Sequence, residues 1–210
     1  MTVYKTKYRV ESARLENWDY ASDGHYFITI CTKNRACLFG DVIDGHVRLS
    51  DAGKIVLAEW EKSFQIRSEL SCDCFIIMPN HIHAVVMIKN DDTGGGVETH
   101  GADTRGVETH GRASLQNNGR ASLPSPKPQP TKSVATRRPK SISSFVAGFK
   151  SAATKRINEY RKTPAKPVWQ SRFHGHIVRD EKSLIRIRHY IINNPGKWTE
   201  DDLYSKEAKL

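Results

Sequence analysis

The pattern of residues along this chain predicts an α+β fold, a central antiparallel sheet with helices packed on it. Three features carry that expectation. Segments that alternate polar and apolar residues crowd into the first 90 positions. Segments with apolar residues three or four apart are interspersed with them and follow them. The strand segments are joined by tight turns rather than by crossovers, which is how antiparallel strands connect. A length of 210 residues suits one ordinary domain carrying a long insertion.

The elements follow in order. "HYFITICT" sets Tyr26, Ile28 and Ile30 against Phe27, Thr29 and Cys31, a strand with two different faces. "DVIDGHVRL" reads as a hairpin, because Asp44-Gly45 tolerates the positive φ of a tight turn. Ser50 can cap a helix from about 51 to 64, with Val56, Trp60 and Phe64 on one stripe. "CFIIM" and "HIHAVVMI" form a second hairpin around Pro79-Asn80. Ser141 can cap a helix from about 142 to 160 whose buried stripe is Ile142, Phe145, Phe149 and Ala153. A short strand, "FHGHIVR", comes next. Asp180 can cap a last helix from about 181 to 193, stopped by Pro195 and Gly196.

Residues 91–140 differ from their surroundings. "GVETHG" occurs twice, "GRASL" occurs twice, and "PSPKPQP" follows. So few apolar residues cannot offset the entropy of ordering, so the stretch reads as a disordered insertion, with His100 and His110 solvated. The chain therefore divides into 1–90, the first part of one domain; 91–140, the insertion; 141–198, the second part of the same domain; and 199–210, an acidic tail. Cys31, Cys37, Cys72 and Cys74 lack the spacing of a zinc site and read as free thiols. The N-terminus has no apolar signal segment and no stretch approaches 18 apolar residues, so a cytoplasmic protein without membrane contact is expected.

Two short stretches could carry chemistry. In "MPNHIHAVVMI" a strand puts His81 and His83 on one face, about 7 Å apart, where both rings could turn toward one divalent ion. A half-buried structural histidine pair is the other reading. In "RIRHYIINNP" a helix aligns Arg186, Tyr190 and Asn194 on one stripe, with Leu184, Ile187, Ile191 and Ile192 on the buried side. Taken alone, Tyr190 is either a nucleophile or a packing tyrosine with a wet hydroxyl. His174 and His176 make a second His-x-His pair that competes with the first for a metal.

"MPNHIH" entering an apolar strand, followed by "YIINNP" on a late helix, resembles the HUH transposases that use a single tyrosine, especially the REP-associated tyrosine transposases. "VWQSRFHGHIVRDEKSLIRIRHYIINNPGKW" is similar to that group as well, and the resemblance spans roughly residues 20–90 and 141–198. It implies the ferredoxin-like HUH nuclease fold, an antiparallel sheet with helices on one side. His81 and His83 then match the pair that holds a divalent metal, magnesium or manganese, and Asn194 matches the side chain that completes the site. Tyr190 matches the nucleophile. The implied activity is a single-strand DNA endonuclease and strand transferase that forms a 5′-phosphotyrosine on hairpin or repeat DNA. Members act as monomers or dimers, so a homodimer is one arrangement. The alternatives are a non-catalytic DNA- or RNA-binding module and a phosphodiesterase that uses water. The first histidine pair is preferred because it follows the Pro-Asn turn.

Charge points to the same class of partner. The net charge is +10, and Lys132 to Arg172 holds eleven basic residues against one acidic residue, Glu159, a surplus equal to that of the whole chain. Lys140, Lys150, Lys155, Arg156, Arg172, His176, Arg179 and Arg186 are the candidate contacts to single-stranded or hairpin DNA. Trp169 and Phe173 could stack on bases or pack inside. The acidic Thr199–Asp202 segment is expected to stay off DNA.

Overall fold

The computed structural model describes residues 3–4, 7–8, 18–90 and 138–204. The repeats of the insertion, with His100 and His110, lie outside the described residues, as do Lys132 and Arg137 of the basic segment. Near the start, β1 (Val3–Tyr4) pairs with β2 (Lys7–Tyr8). The main sheet contains β3 (Gly24–Cys31), β6 (Leu70–Met78), β7 (His81–Ile88) and β8 (His174–Val178), in the order β6-β7-β3-β8 with every pair antiparallel. A separate hairpin joins β4 (Gly40–Ile43) to β5 (His46–Leu49). Its turn residues, Asp44 and Gly45, have φ of 50° and 73°, the two positive values that a type I′ turn needs.

Alternation along β3 divides the molecule into layers. Tyr26, Ile28 and Ile30 are fully buried with Ile82, Ala84 and Val86 of β7 beneath α1 (Asp51–Gln65) and α2 (Ile142–Arg161). Trp60 of α1 is the hub of this core, with its ring 5.1 Å from Phe149 and 5.5 Å from Phe145 of α2. The other face of the sheet carries Phe27, Ile76, Val85 and Val178, packed against Leu184, Ile187 and Ile191 of α3 (Glu181–Asn193). Helices therefore cover both faces, two on one side and one on the other, and not one side alone. An eight-residue strand pair with apolar side chains on both faces can be buried only in that way.

The caps act as their residue types require. Ser50, Ser141 and Asp180 each accept a hydrogen bond from the backbone N–H three residues on. One expectation for α3 needs correction: Ile192 is 66% exposed and lies off the buried stripe. The α-helix ends at Asn193 as expected, but the chain does not leave helical geometry there: Asn194 keeps helical angles (φ −57°, ψ −42°), and a 3₁₀ helix, Pro195–Glu200, follows directly. Burial of Asn194, Pro195 and Trp198 outweighs the usual preference of a residue before proline for extended backbone. None of the four cysteines is in a disulfide, and burial holds the thiols of Cys31, Cys72 and Cys74 protonated, Cys72 being pushed up to about 11. Among the described residues, no helix is long and apolar enough to cross a membrane.

Candidate metal and tyrosine site

The site grows from the turn before β7. Asn80 is buried, and its side-chain N–H groups donate to the carbonyls of Arg35 (3.2 Å) and Leu203 (2.8 Å). Two carbonyl acceptors settle which end of the amide is nitrogen, so Oδ1 faces His81 Nδ1, 2.8 Å away. Since Oδ1 can only accept, His81 carries its proton on Nδ1 and presents a bare lone pair at Nε2. That Nε2 is buried and has no hydrogen-bond partner among the described residues.

His83 lies one pleat further on the same face, its ring centroid 4.4 Å from that of His81. Thr29, directly across on β3, places Oγ1 2.9 Å from His83 Nδ1. Phe27 stacks on the ring of His83 at 5.5 Å and meets Tyr190 edge-on at 6.3 Å. Strand pairing thus holds both imidazoles in place before any ligand arrives. Burial drives both to neutrality: His81 is held down to about 4, and His83 to about 3 with help from its neighbour His81. At neutral pH the site offers uncharged nitrogen lone pairs, the form that binds metal.

α3 brings the other half. Tyr190 Oη is 3.0 Å from His83 Nε2 and 3.4 Å from Asp201 Oδ2, and the residue is 46% exposed, so its hydroxyl is both anchored and reachable. Burial, then the charge and hydrogen bond of Asp201, push the Tyr190 phenol up to about 12. One turn on, Asn194 donates from Nδ2 to Asp201 Oδ2 at 2.6 Å. This bond turns Asn194 Oδ1 the other way, where it is buried without a hydrogen-bond partner among the described residues. Burial raises the Asp201 carboxyl, but the hydrogen bonds from Asn194 and Leu203 more than offset it, so the group stays ionised. Potential ligand atoms of His81, His83 and Asp201 all lie within 4.8 Å of one another.

Two orphaned buried acceptors, His81 Nε2 and Asn194 Oδ1, beside a second neutral imidazole and a carboxylate fit a divalent cation. A buried acceptor without a partner is otherwise costly, by about 1–3 kcal/mol each. Mixed imidazole and oxygen donors suit several divalent ions, magnesium and manganese among them.

The structure brings His81, His83, Tyr190 and Asn194 together, all within one chain. It adds Asp201, which the sequence placed in a tail apart from DNA, as well as Thr29 and Asn80. Nothing in the local spacing marks Asp201, because a 3₁₀ helix separates it from Asn194. His174 and His176 sit on the edge strand β8, exposed, opposite Thr29 and Phe27 respectively. A cleft of about 370 Å³ opens beside Tyr190, with Arg186, His189, Asn193 and Lys197 along its walls.

The remaining basic residues are spread over the surface. Arg186 lines the cleft and donates to Ser183 Oγ at 3.0 Å. Lys150 donates to the carbonyls of Gln170 and Ser171. Lys155 and Arg156 lie on α2, across the sheet from Tyr190. The first is 3.9 Å from Glu159, and the second makes a 2.7 Å ion pair with buried Glu59. Lys140, Arg172 and Arg179 are exposed. Trp169 is buried against Phe39 and Phe149, which makes it a packing residue.

No protein-family model matches the chain. A protein of Haemophilus influenzae (strain ATCC 51907 / DSM 11121 / KW20 / Rd), described as uncharacterized, is 36% identical over 194 residues, which is 92% of each chain. Among solved structures, a REP-associated tyrosine transposase bound to a REP hairpin matches with a TM-score of 0.50 and 16% identity, over 94% of this chain and 74% of that one. The second likeness shows the fold.

Proposed function

This chain belongs to the same family as the Haemophilus influenzae protein and has the fold of a tyrosine transposase, and from that premise we propose that it is a transposase-like endonuclease and strand transferase acting on single-stranded or hairpin DNA. One observation carries the reading: an exposed tyrosine hydroxyl stands 3.0 Å from a buried imidazole, beside two buried acceptors that nothing among the described residues satisfies. The hairpin bound by the structural neighbour supports the choice of DNA.

In the proposed reaction Tyr190 Oη attacks phosphorus, the bond from phosphorus to the 3′ oxygen breaks, and the products are a 5′-phosphotyrosine and a 3′-hydroxyl. With its phenol pushed up to about 12, Tyr190 is protonated at neutral pH and must lose its proton as it attacks. Asp201 Oδ2, 3.4 Å away and ionised, would receive that proton and return it to the departing 3′ oxygen, which leaves as the hydroxyl. His81, His83, Asn194 and Asp201 would hold a magnesium or manganese ion, which when bound supplies positive charge to the attacked phosphate. Phe27 keeps His83 and Tyr190 in register and excludes water from one side of the pair. Arg186 and Lys197 in the adjoining cleft are suited to the phosphates that flank the scissile bond. Attack of a second 3′-hydroxyl on the phosphotyrosine reverses the step, so cutting and joining need no outside energy source.

The test is incubation with labelled DNA hairpins, with manganese or with chelator, followed by denaturing electrophoresis. A manganese-dependent adduct that Tyr190→Phe abolishes while keeping hairpin binding is the expected result. Tight hairpin binding with no adduct under any condition would assign the chain to non-catalytic nucleic-acid binding.

A further inference from the structure

β6 is interrupted. Cys72 pairs with Val86 and Cys74 with Val85, so Asp73 is an extra residue with no partner across the ladder, a β-bulge. The bulge resets the alternation: Cys72 packs into the core under α1 and α2, and Cys74 packs on the opposite face with α3. It also sends the Asp73 carboxylate toward α3, where both its oxygens meet Arg188, Nε at 2.8 Å and Nη2 at 2.7 Å.

That bidentate pair matters because α3 is lightly held. Leu184 and Ile191 are its only buried side chains, and Ile185, Tyr190 and Ile192 are exposed. Arg188 and Tyr190 are two residues apart, so they project about 200° apart around the helix, on opposite flanks of the buried stripe. Rolling α3 about its axis therefore moves the two in opposite senses. A bidentate arginine–carboxylate pair resists such a roll because it fixes direction as well as distance. The pair also bridges residues 115 apart in the chain, joining the first half of the domain to the tyrosine helix.

We infer that Asp73 and Arg188 form a clasp that sets the roll of α3 and so positions Tyr190 over His83, making them positioning residues for the tyrosine chemistry; the inference rests on the proposed function for its catalytic consequence. Loss of the clasp lets the hydroxyl drift from its place, and displacement of a reacting atom by about 1 Å costs on the order of a hundredfold in rate. Neither residue touches the histidines, so metal and hairpin affinity are expected to stay within twofold, about the scatter expected for a remote surface change.

Two readouts on the full chain test this. The first is ¹³C NMR of ring-labelled tyrosines without DNA or metal, with the Tyr190 signal identified by its loss in Tyr190→Phe. The second is the rate of adduct formation beside hairpin affinity. Asp73→Asn, which keeps the bulge residue and removes its charge, should displace or broaden the Tyr190 signal, leave the core melting transition in place, and slow the adduct by about ten- to a hundredfold. The exchanged pair, Asp73→Arg with Arg188→Asp, should recover both readouts. The clasp is overturned if Asp73→Asn changes neither readout, or if the exchanged pair recovers neither. If wild type forms no adduct while Asp73→Asn still displaces the Tyr190 signal and the exchange recovers it, the nuclease reading falls and the positioning of Tyr190 stands.

Discussion

Lowering the pH from 8 to 5 in the presence of chelator should destabilise this protein through two side chains above all. His81 and His83 are held at about 4 and about 3, against an ordinary value of 6.5. Because each ring binds a proton less readily folded than unfolded, the unfolded chain takes up the extra protons. Stability is thus full above about pH 6.5 and is lost as pH falls toward the folded values. At pH 5 both folded values lie below the working pH, so the loss depends mainly on the unfolded one and comes to about 2 kcal/mol per ring, or about 4 kcal/mol for the pair. Urea unfolding at several pH values, for wild type and for the double variant His81→Leu/His83→Leu, isolates this contribution from that of the carboxylates. The wild-type profile should fall more steeply below pH 6.5 by about 4 kcal/mol. Parallel profiles would show that the rings are not buried neutral, and would remove the argument that their lone pairs await a metal.

Further expectations bear on the site and its support. Saturating manganese, at a hundred times its Kd, should add about 2.7 kcal/mol at neutral pH, a rise of about 5–10 °C in Tm by calorimetry; His83→Ala should abolish it. Thr29→Val removes the hydroxyl that orients His83, and manganese affinity measured by titration calorimetry should fall by about 10- to 100-fold. Asn80→Ala leaves the carbonyl of Leu203 and the Nδ1 proton of His81 without their partner, so urea unfolding should show a loss of about 1–3 kcal/mol. Trp60→Ala empties the hub of the larger core and should cost about 3–5 kcal/mol by the same measurement.

Much of this architecture is legible in the residues themselves. The alternation of β3, the Asp44-Gly45 turn and the three capping residues are local features, and each appears where its chemistry requires. The two-sided helical cover is less plain in the sequence, although Phe27 and Val85 on the second face are apolar enough to need it. Of the site, the histidines and Tyr190 stand in recognisable strings, but Asp201 does not. It reaches Asn194 and Tyr190 only because Asn194 stays helical before a proline and the chain then turns through Pro195–Glu200. Asn80 shows a different limit: a turn residue by its type, it also sets the tautomer of His81 through contacts to residues 45 and 123 positions away. Spacing rules reach one or two helical turns and cannot see either arrangement.

The site is divided between two lengths of chain. Thr29, Asn80, His81 and His83 come before residue 91, and Tyr190, Asn194 and Asp201 come after residue 137, with β8 joining the two lengths as a strand beside β3. A cut in the polypeptide between those lengths would sever no bond of the site, yet neither fragment alone would possess both an acceptor cluster and a phenol. Each fragment expressed separately would carry one half of the site, the imidazoles in one and the phenol in the other.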